Sequence, residues 1–314
     1  MNLVTHDTLP PDTAWAEPPL AAPPLAATPA TAAAPAAEAG VLVLAGAVLR
    51  LPGHRRFGPF ETTVRAGERV AIVGPSGAGK STLLKLLAGE RPAREGRERL
   101  DGRDLDSWPP AALPQSHGIA FAMPVELVVS LGRIAHEPDP ALAETVTEAL
   151  VLACAAHLVG RRFDTLSGGE QARVMLARVF AQLWDAPPGW LLVDEPLSAL
   201  DPGLQFELAD ALAAFCRARG HALVAVLHDL NLALGAFDRL WLVRGGQLVG
   251  DLPATRTAVP ALEALFGIRL ACVEGVGGED DDRGRIAVLA CRGPAPGCAE
   301  AGRAGVSRPA EPAR

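Results

Sequence analysis

Residues 68–82 read ERVAIVGPSGAGKST, and that order of residue types leaves the chain very little freedom of fold. A short apolar run, VAIV, ends at Gly74, as a buried strand does at the edge of a sheet. Gly74, Pro75, Ser76, Gly77, Ala78, Gly79, Lys80, Ser81 and Thr82 then match the phosphate-loop pattern. Leu83, Leu84, Leu86 and Leu87 follow as the inner face of a helix. Strand, glycine-rich loop and helix in that order predict an α/β fold around a parallel sheet. Glycines let the backbone turn its N–H groups onto a β-phosphate, Lys80 bridges β- and γ-phosphates, and the Ser81 hydroxyl is a Mg²⁺ donor. A turn that merely starts a helix is the competing reading. Against it, the chain has only two lysines, Lys80 and Lys85, among 29 basic residues. A lysine has been kept where a compact ammonium, rather than a planar guanidinium, fits a phosphate cradle.

Two later strands supply acid and imidazole. GWLLVDEP, residues 189–196, is an apolar run ending in Asp194 and Glu195. In an open parallel sheet that end faces the ligand. Asp194 is predicted to hold Mg²⁺ through water and Glu195 to act on the attacking water. HALVAVLHD, residues 221–229, ends in His228, which the same sheet edge would bring within reach of a γ-phosphate.

A second anion site is written into LSGGE. Ser167, Gly168, Gly169 and Glu170 open a helix whose first N–H groups lack intrahelical partners and whose dipole is positive there. One phosphate loop does not need a second anion site on its own chain.

Taken together, GPSGAGKST, Gln115 in ALPQ, LSGGE, VDEP, SALD ending at Asp201, and His228 in LHDLNLA resemble, in order and spacing, the ATP-binding subunit of ABC transporters. The resemblance runs over about residues 41–267. It implies a P-loop cassette with a parallel-sheet core, an antiparallel β lobe near residues 41–65 and a helical sub-lobe over about 115–180. It implies ATP and Mg²⁺ as ligands, with Ser81, Gln115 and Asp194 at the metal and Glu195, His228 and Lys80 in hydrolysis. It further implies a homodimer in which Ser167, Gly168, Gly169 and Glu170 of one chain face the nucleotide on the other, with Asp201 beside the shared site. Each ATP would then answer the question posed by the second anion site. The stretch ARVFAQLWDAPPGWLLVDEP, AVLHDLNLA and IAFAMPVELVVSLGR look like the hemin-importer branch of the siderophore and cobalamin group. By that likeness the partners are an integral membrane permease and, indirectly, a substrate-binding protein, with the chain on the cytoplasmic face of the cell membrane.

Composition sets the outer limits. With 49% apolar residues the 314-residue chain can bury a large core, and a formal net charge of −7 provides no basic field for nucleic acid. No run is long and apolar enough to predict a spanning helix. Five scattered cysteines suit reduced thiols, Cys291 and Cys298 reading as incidental tail thiols. Residues 1–40, rich in Ala and Pro, are expected to be a disordered leader. Residues 268–292 are expected to form a small β hairpin around the acidic stretch 279–282, and 293–314 a flexible tail. Such cassettes usually stack adenine on an aromatic residue shortly before the phosphate loop; LRLPGHRRFGPF offers Leu51 or His54 at that place, and the adenine contact is left unassigned.

Overall fold

The computed structural model describes residues 41–51, 55–90, 95–100, 103–104, 111–113, 122–136, 138–273 and 287–291, all within one unit, residues 37–314. The leader, Gln115, the acidic stretch 279–282 and Cys298 lie outside the described residues.

A six-stranded sheet carries the site. Its order is β10 (Gln247–Pro253), β9 (Arg239–Arg244), β3 (Arg69–Val73), β8 (Ala222–Val226), β7 (Trp190–Asp194) and β6 (Ala111–Leu113). Every pair from β9 to β6 is parallel, and only β10 runs against its neighbour. The three central strands are buried throughout. Both their faces are covered, so each sends alternate residues into a different core. On β3, Ala71 and Val73 enter the larger core, while Val70 and Ile72 enter the smaller one. This is why these strands read as unbroken apolar runs rather than alternating ones.

The smaller core lies under α1 (Lys80–Leu87) and a second sheet. That sheet has the order β2 (Arg55–Arg65), β1 (Val41–Leu51), β4 (Glu95–Leu100), β5 (Arg103–Asp104). It therefore exceeds the lobe anticipated near residues 41–65, because β4 and β5 follow α1 in the chain, β4 returning to pair with β1 and β5 adding on to β4. EGRERL has no apolar alternation to announce a strand.

The larger core takes the other face of the sheet. It includes residues of α2 (Val125–Ser130), α3 (Leu142–Leu152), α4 (Gly168–Leu183), α5 (Pro202–Arg219), α6 (Leu230–Ala236) and α7 (Val259–Phe266). Two ties fix the helical part. Arg133, almost fully buried, donates to Asp139 (2.6 Å), Asp185 (2.9 Å) and Ala181 O (3.3 Å). Glu126 Oε1 accepts the Gly160 N–H at 2.7 Å, and its other carboxylate oxygen is buried without a partner.

Trp184, just after α4, is held by stacking. The Arg219 guanidinium lies 4.4 Å over the Trp184 ring and 4.3 Å over Phe215. Beside it, buried His221 accepts the Gly189 N–H at Nδ1 (3.1 Å), so its Nε2 carries the proton and donates to Leu183 O (3.2 Å). Burial holds this imidazole below its ordinary pKa, which favours the neutral form. The last described elements are β11 (Arg269–Val273) and β12 (Ala287–Cys291), paired antiparallel.

Candidate active site

The loop after β3 wraps residues that a side chain would block. A Cβ on Gly74 would fall on Val243 O, and one on Gly79 would meet the Phe57 ring at 2.6 Å. Gly79 has φ +103° and starts α1, whose first N–H groups are left for an external acceptor. A brace holds the back of the loop. Gly246, in the β9–β10 turn, donates its N–H to Ala78 O (2.8 Å) and accepts the Gly58 N–H (2.7 Å). The Phe57 ring is wedged against Gly79 and Gly246 together.

Inside the loop, Lys80 is 6% exposed. Its Nζ donates to Gly74 O (2.9 Å) and Pro75 O (3.1 Å). Burial lowers its pKa against the opposing pull of Glu195 and Asp194. Ser81 Oγ donates to Asp194 Oδ1 at 3.1 Å, across 113 residues of chain. Asp194 closes β7 and is itself buried, so desolvation raises its pKa against that hydrogen bond.

Glu195 is the next residue, and its backbone is unusual. Its φ is +51°, the left-handed region, which costs a non-glycine residue about 1–3 kcal/mol and persists only where surroundings enforce it. They do so here through the Glu195 N–H to Val226 O (3.2 Å) and the Ser198 hydroxyl to Glu195 O (3.0 Å). The twist points the carboxylate at the end of β8, where His228 Nε2 meets Glu195 Oε1 at 2.5 Å. A carboxylate only accepts, so Nε2 carries the proton in this contact. Lys80, Ser81, Asp194, Glu195 and His228 thus converge at the C-terminal edge of three adjacent strands, the ligand edge of an open α/β sheet.

LSGGE is built separately. Ser167 caps α4: its N–H donates to Glu170 Oε2 (2.7 Å), and its Oγ accepts the Glu170 N–H more loosely, at 3.4 Å. Arg161 donates to the other Glu170 oxygen at 2.8 Å. Those hydrogen bonds, from the Ser167 backbone first and the Arg161 guanidinium later, bring the Glu170 carboxyl down to about 2. Gly168 has open space where a side chain would be, whereas Gly169 packs against Ala199 O, so the signature turn rests on the SALD segment. Asp201 ends that segment as the N-cap of α5, accepting the Leu204 N–H at 3.1 Å. Among the described residues no hydrogen bond joins Ser167 or Glu170 to the phosphate loop of the same chain. β6 stops two residues short of Gln115.

Comparison with known proteins bears on this geometry. A family model described as ABC transporter matches residues 57–198. A hemin import ATP-binding protein from Pseudomonas aeruginosa is 47% identical over 236 residues, spanning 71% of this chain and 91% of the relative. The chain belongs to the ABC transporter family. A protein of the same printed name from Rhodopseudomonas palustris is 39% identical over 76% of this chain and 93% of its own. Among solved structures, a metal-chelate type ABC transporter in an inward-facing conformation aligns with TM-score 0.67 at 22% identity, over 81% of this chain and 98% of that one. A dimeric bacterial ABC transporter cassette aligns with TM-score 0.61 at 22% identity, over 68% and 98%. These last two likenesses concern the fold: this chain has the ABC cassette architecture.

The residues that sequence reasoning passed over are Phe57, Gly246 and His221. Phe57 and Gly246 stand 189 residues apart, and no local pattern joins them.

Proposed function

We propose that this chain is the ATP-hydrolysing subunit of an ABC importer, that two copies share each pair of ATP molecules, and that hemin is the cargo passed by a membrane permease. The observation that carries the chemistry is the direct Glu195–His228 contact beside the buried Lys80 and Ser81–Asp194 pair. The cargo rests on relatives 39–47% identical over most of their length that bear the hemin import name. No helix among the described residues is long and apolar enough to cross a membrane, which suits a subunit docked on a permease from the cytoplasmic face.

The loop N–H groups and Lys80 receive the phosphates, Lys80 exchanging its two carbonyl partners for phosphate oxygens. Ser81 and Asp194 supply hard oxygen donors already held together, the carboxylate being buried, a donor set that fits Mg²⁺. These two residues would hold the ion, with Gln115 as the further donor implied by family resemblance. When bound, Mg²⁺ neutralises charge on the β- and γ-phosphates. Glu195 accepts a hydrogen bond from the attacking water and aligns it with the γ-phosphorus. His228 holds the Glu195 carboxylate through its Nε2–H, and would pass that N–H to the γ-phosphate when ATP enters. The Ser167 hydroxyl and Gly169 N–H of a second copy would complete the site from the opposite side. Asp201, spent on capping α5, would act by holding the SALD turn against Gly169.

Glu195→Gln tests the scheme. The purified variant is expected to bind ATP and lose most turnover, and a cell that relies on this chain should no longer grow on hemin as its iron source. Wild-type turnover would remove Glu195 from hydrolysis. Retained growth on hemin, with loss on a ferric siderophore or of cobalamin uptake, would reassign the cargo.

A further inference from the structure

After α7 the chain adds the β11–β12 pair, on which hydrolysis makes no direct call. Its inward side chains Leu270 and Val288 enter the same core as α6 and α7. Each strand also gives one backbone N–H to a helix side chain. Leu270 donates to Glu263 Oε1 on α7 at 2.7 Å, and Val288 donates to Asn231 Oδ1 on α6 at 2.7 Å. The second bond ends beside the active site. Asn231 lies in the first turn of α6, and its own N–H goes to Asp229 Oδ1 at 2.7 Å. Asp229 is the cap of that helix, also accepts the Leu232 N–H (3.1 Å), and follows His228 directly. One half-buried side chain therefore links the last described strand to the residue that touches Glu195.

A seven-residue helix cannot hold its own shape in water, so the placement of its first turn is set by its neighbours. β3 and α5 support its apolar face, and among the described residues it is β12 that reaches its N-terminal turn with a hydrogen bond to a side chain. We infer that Asn231 is a positioning residue: anchored on β12, it sets the first turn of α6 and, through the Asp229 cap, the reach of His228 to Glu195. Docking of the C-terminal hairpin then tunes hydrolysis without touching ATP. The inference rests on the reading of His228 as the working partner of Glu195.

The test compares full-length variants by ATPase kinetics, nucleotide affinity and melting temperature. Asn231→Leu keeps the volume and removes the acceptor. It is expected to lower kcat about tenfold with KM for ATP and ATP affinity within about twofold, since displacing a reacting group by a fraction of an ångström costs rate rather than binding. Asn231→Asp keeps an oxygen at that position and should restore most of kcat. Val288→Pro removes the donor of the same bond from the other side and should reproduce Asn231→Leu, even if the latter folds poorly. Glu263→Leu cuts the tie to α7 and should lower the melting temperature while kcat stays within about twofold. Loss of kcat in Glu263→Leu in proportion to lost stability would make the hairpin merely structural and overturn the inference, as would unchanged kcat in Asn231→Leu. His228→Ala separates the two readings: full activity there removes the role of His228, whereas its loss beside an unaffected Asn231→Leu sinks only the hairpin link.

Discussion

Replacing Gly246 by alanine asks whether the phosphate loop is held from behind by the Phe57 wedge. Gly246 has φ +80°, so any side chain there is strained by about 1–2 kcal/mol. The new Cβ would also fall 2.8 Å from the Phe57 ring, an overlap worth about 1–3 kcal/mol if the ring must shift. Gly246→Ala should therefore cost about 2–5 kcal/mol, a large part of the stability of an ordinary domain. Phe57 is half-buried, and its truncation to alanine should cost about 2 kcal/mol, roughly half the value for a fully buried ring. The informative quantity is the double variant. With the ring gone the overlap vanishes and only the backbone strain remains, so the pair should be less damaging than the sum of the singles by about 1–3 kcal/mol. Urea unfolding of the four proteins measures this, and KM for ATP should rise in Gly246→Ala and partly recover in the double variant. Strict additivity in the cycle would show that the ring does not press on the turn, and the brace would have to be abandoned.

Three further outcomes follow from the same geometry. The Glu170 carboxyl should titrate near pH 2 by NMR; with a depressed folded pKa, its contribution to stability is present above the ordinary value of 4.5 and lost as pH falls toward 2, and Ser167→Ala or Arg161→Ala should move the titration upward. In alkylation at pH 8, exposed Cys291 should be modified well before Cys154 and Cys216, whose thiols burial pushes up to about 11 and about 12. Glu126→Lys should destabilise the helical part, because it breaks the Gly160 tie and puts a cation where one carboxylate oxygen is already buried without a partner; a cooperative melt at the wild-type temperature would contradict this.

The sheet edge was legible because each motif is contiguous and carries its own secondary-structure context: an apolar run, then the chemistry at its end. β3, β7 and β8 all take that form, and chain order alone assigns Lys80, Asp194, Glu195 and His228 to their C-terminal ends. The capping box of LSGGE was equally open to reading, since Ser167 and Glu170 are three residues apart. What escaped has no local signature. β4 is a polar strand recruited by β1 and β5 a short one added to β4, the Phe57 wedge joins three distant segments, and Arg219 finds Trp184 across 35 residues. The left-handed backbone of Glu195 escaped for another reason: a sequence shows which residue is present but not the conformation its neighbours impose.

That each ATP is served by two copies of the chain is tested most directly with two variants, each defective alone. Lys80→Ala spoils the phosphate loop, and Ser167→Arg fills the signature turn. In a mixed dimer both lesions fall on one nucleotide, while the other meets an intact Lys80 from one copy and an intact Ser167 from its partner. Occluded nucleotide, measured after confirming that mixed dimers form, should return to one ATP per dimer, against almost none in either variant alone. If LSGGE acts on the nucleotide of its own chain, every mixed dimer keeps one lesion per site; no recovery of occlusion would then contradict the shared-site account.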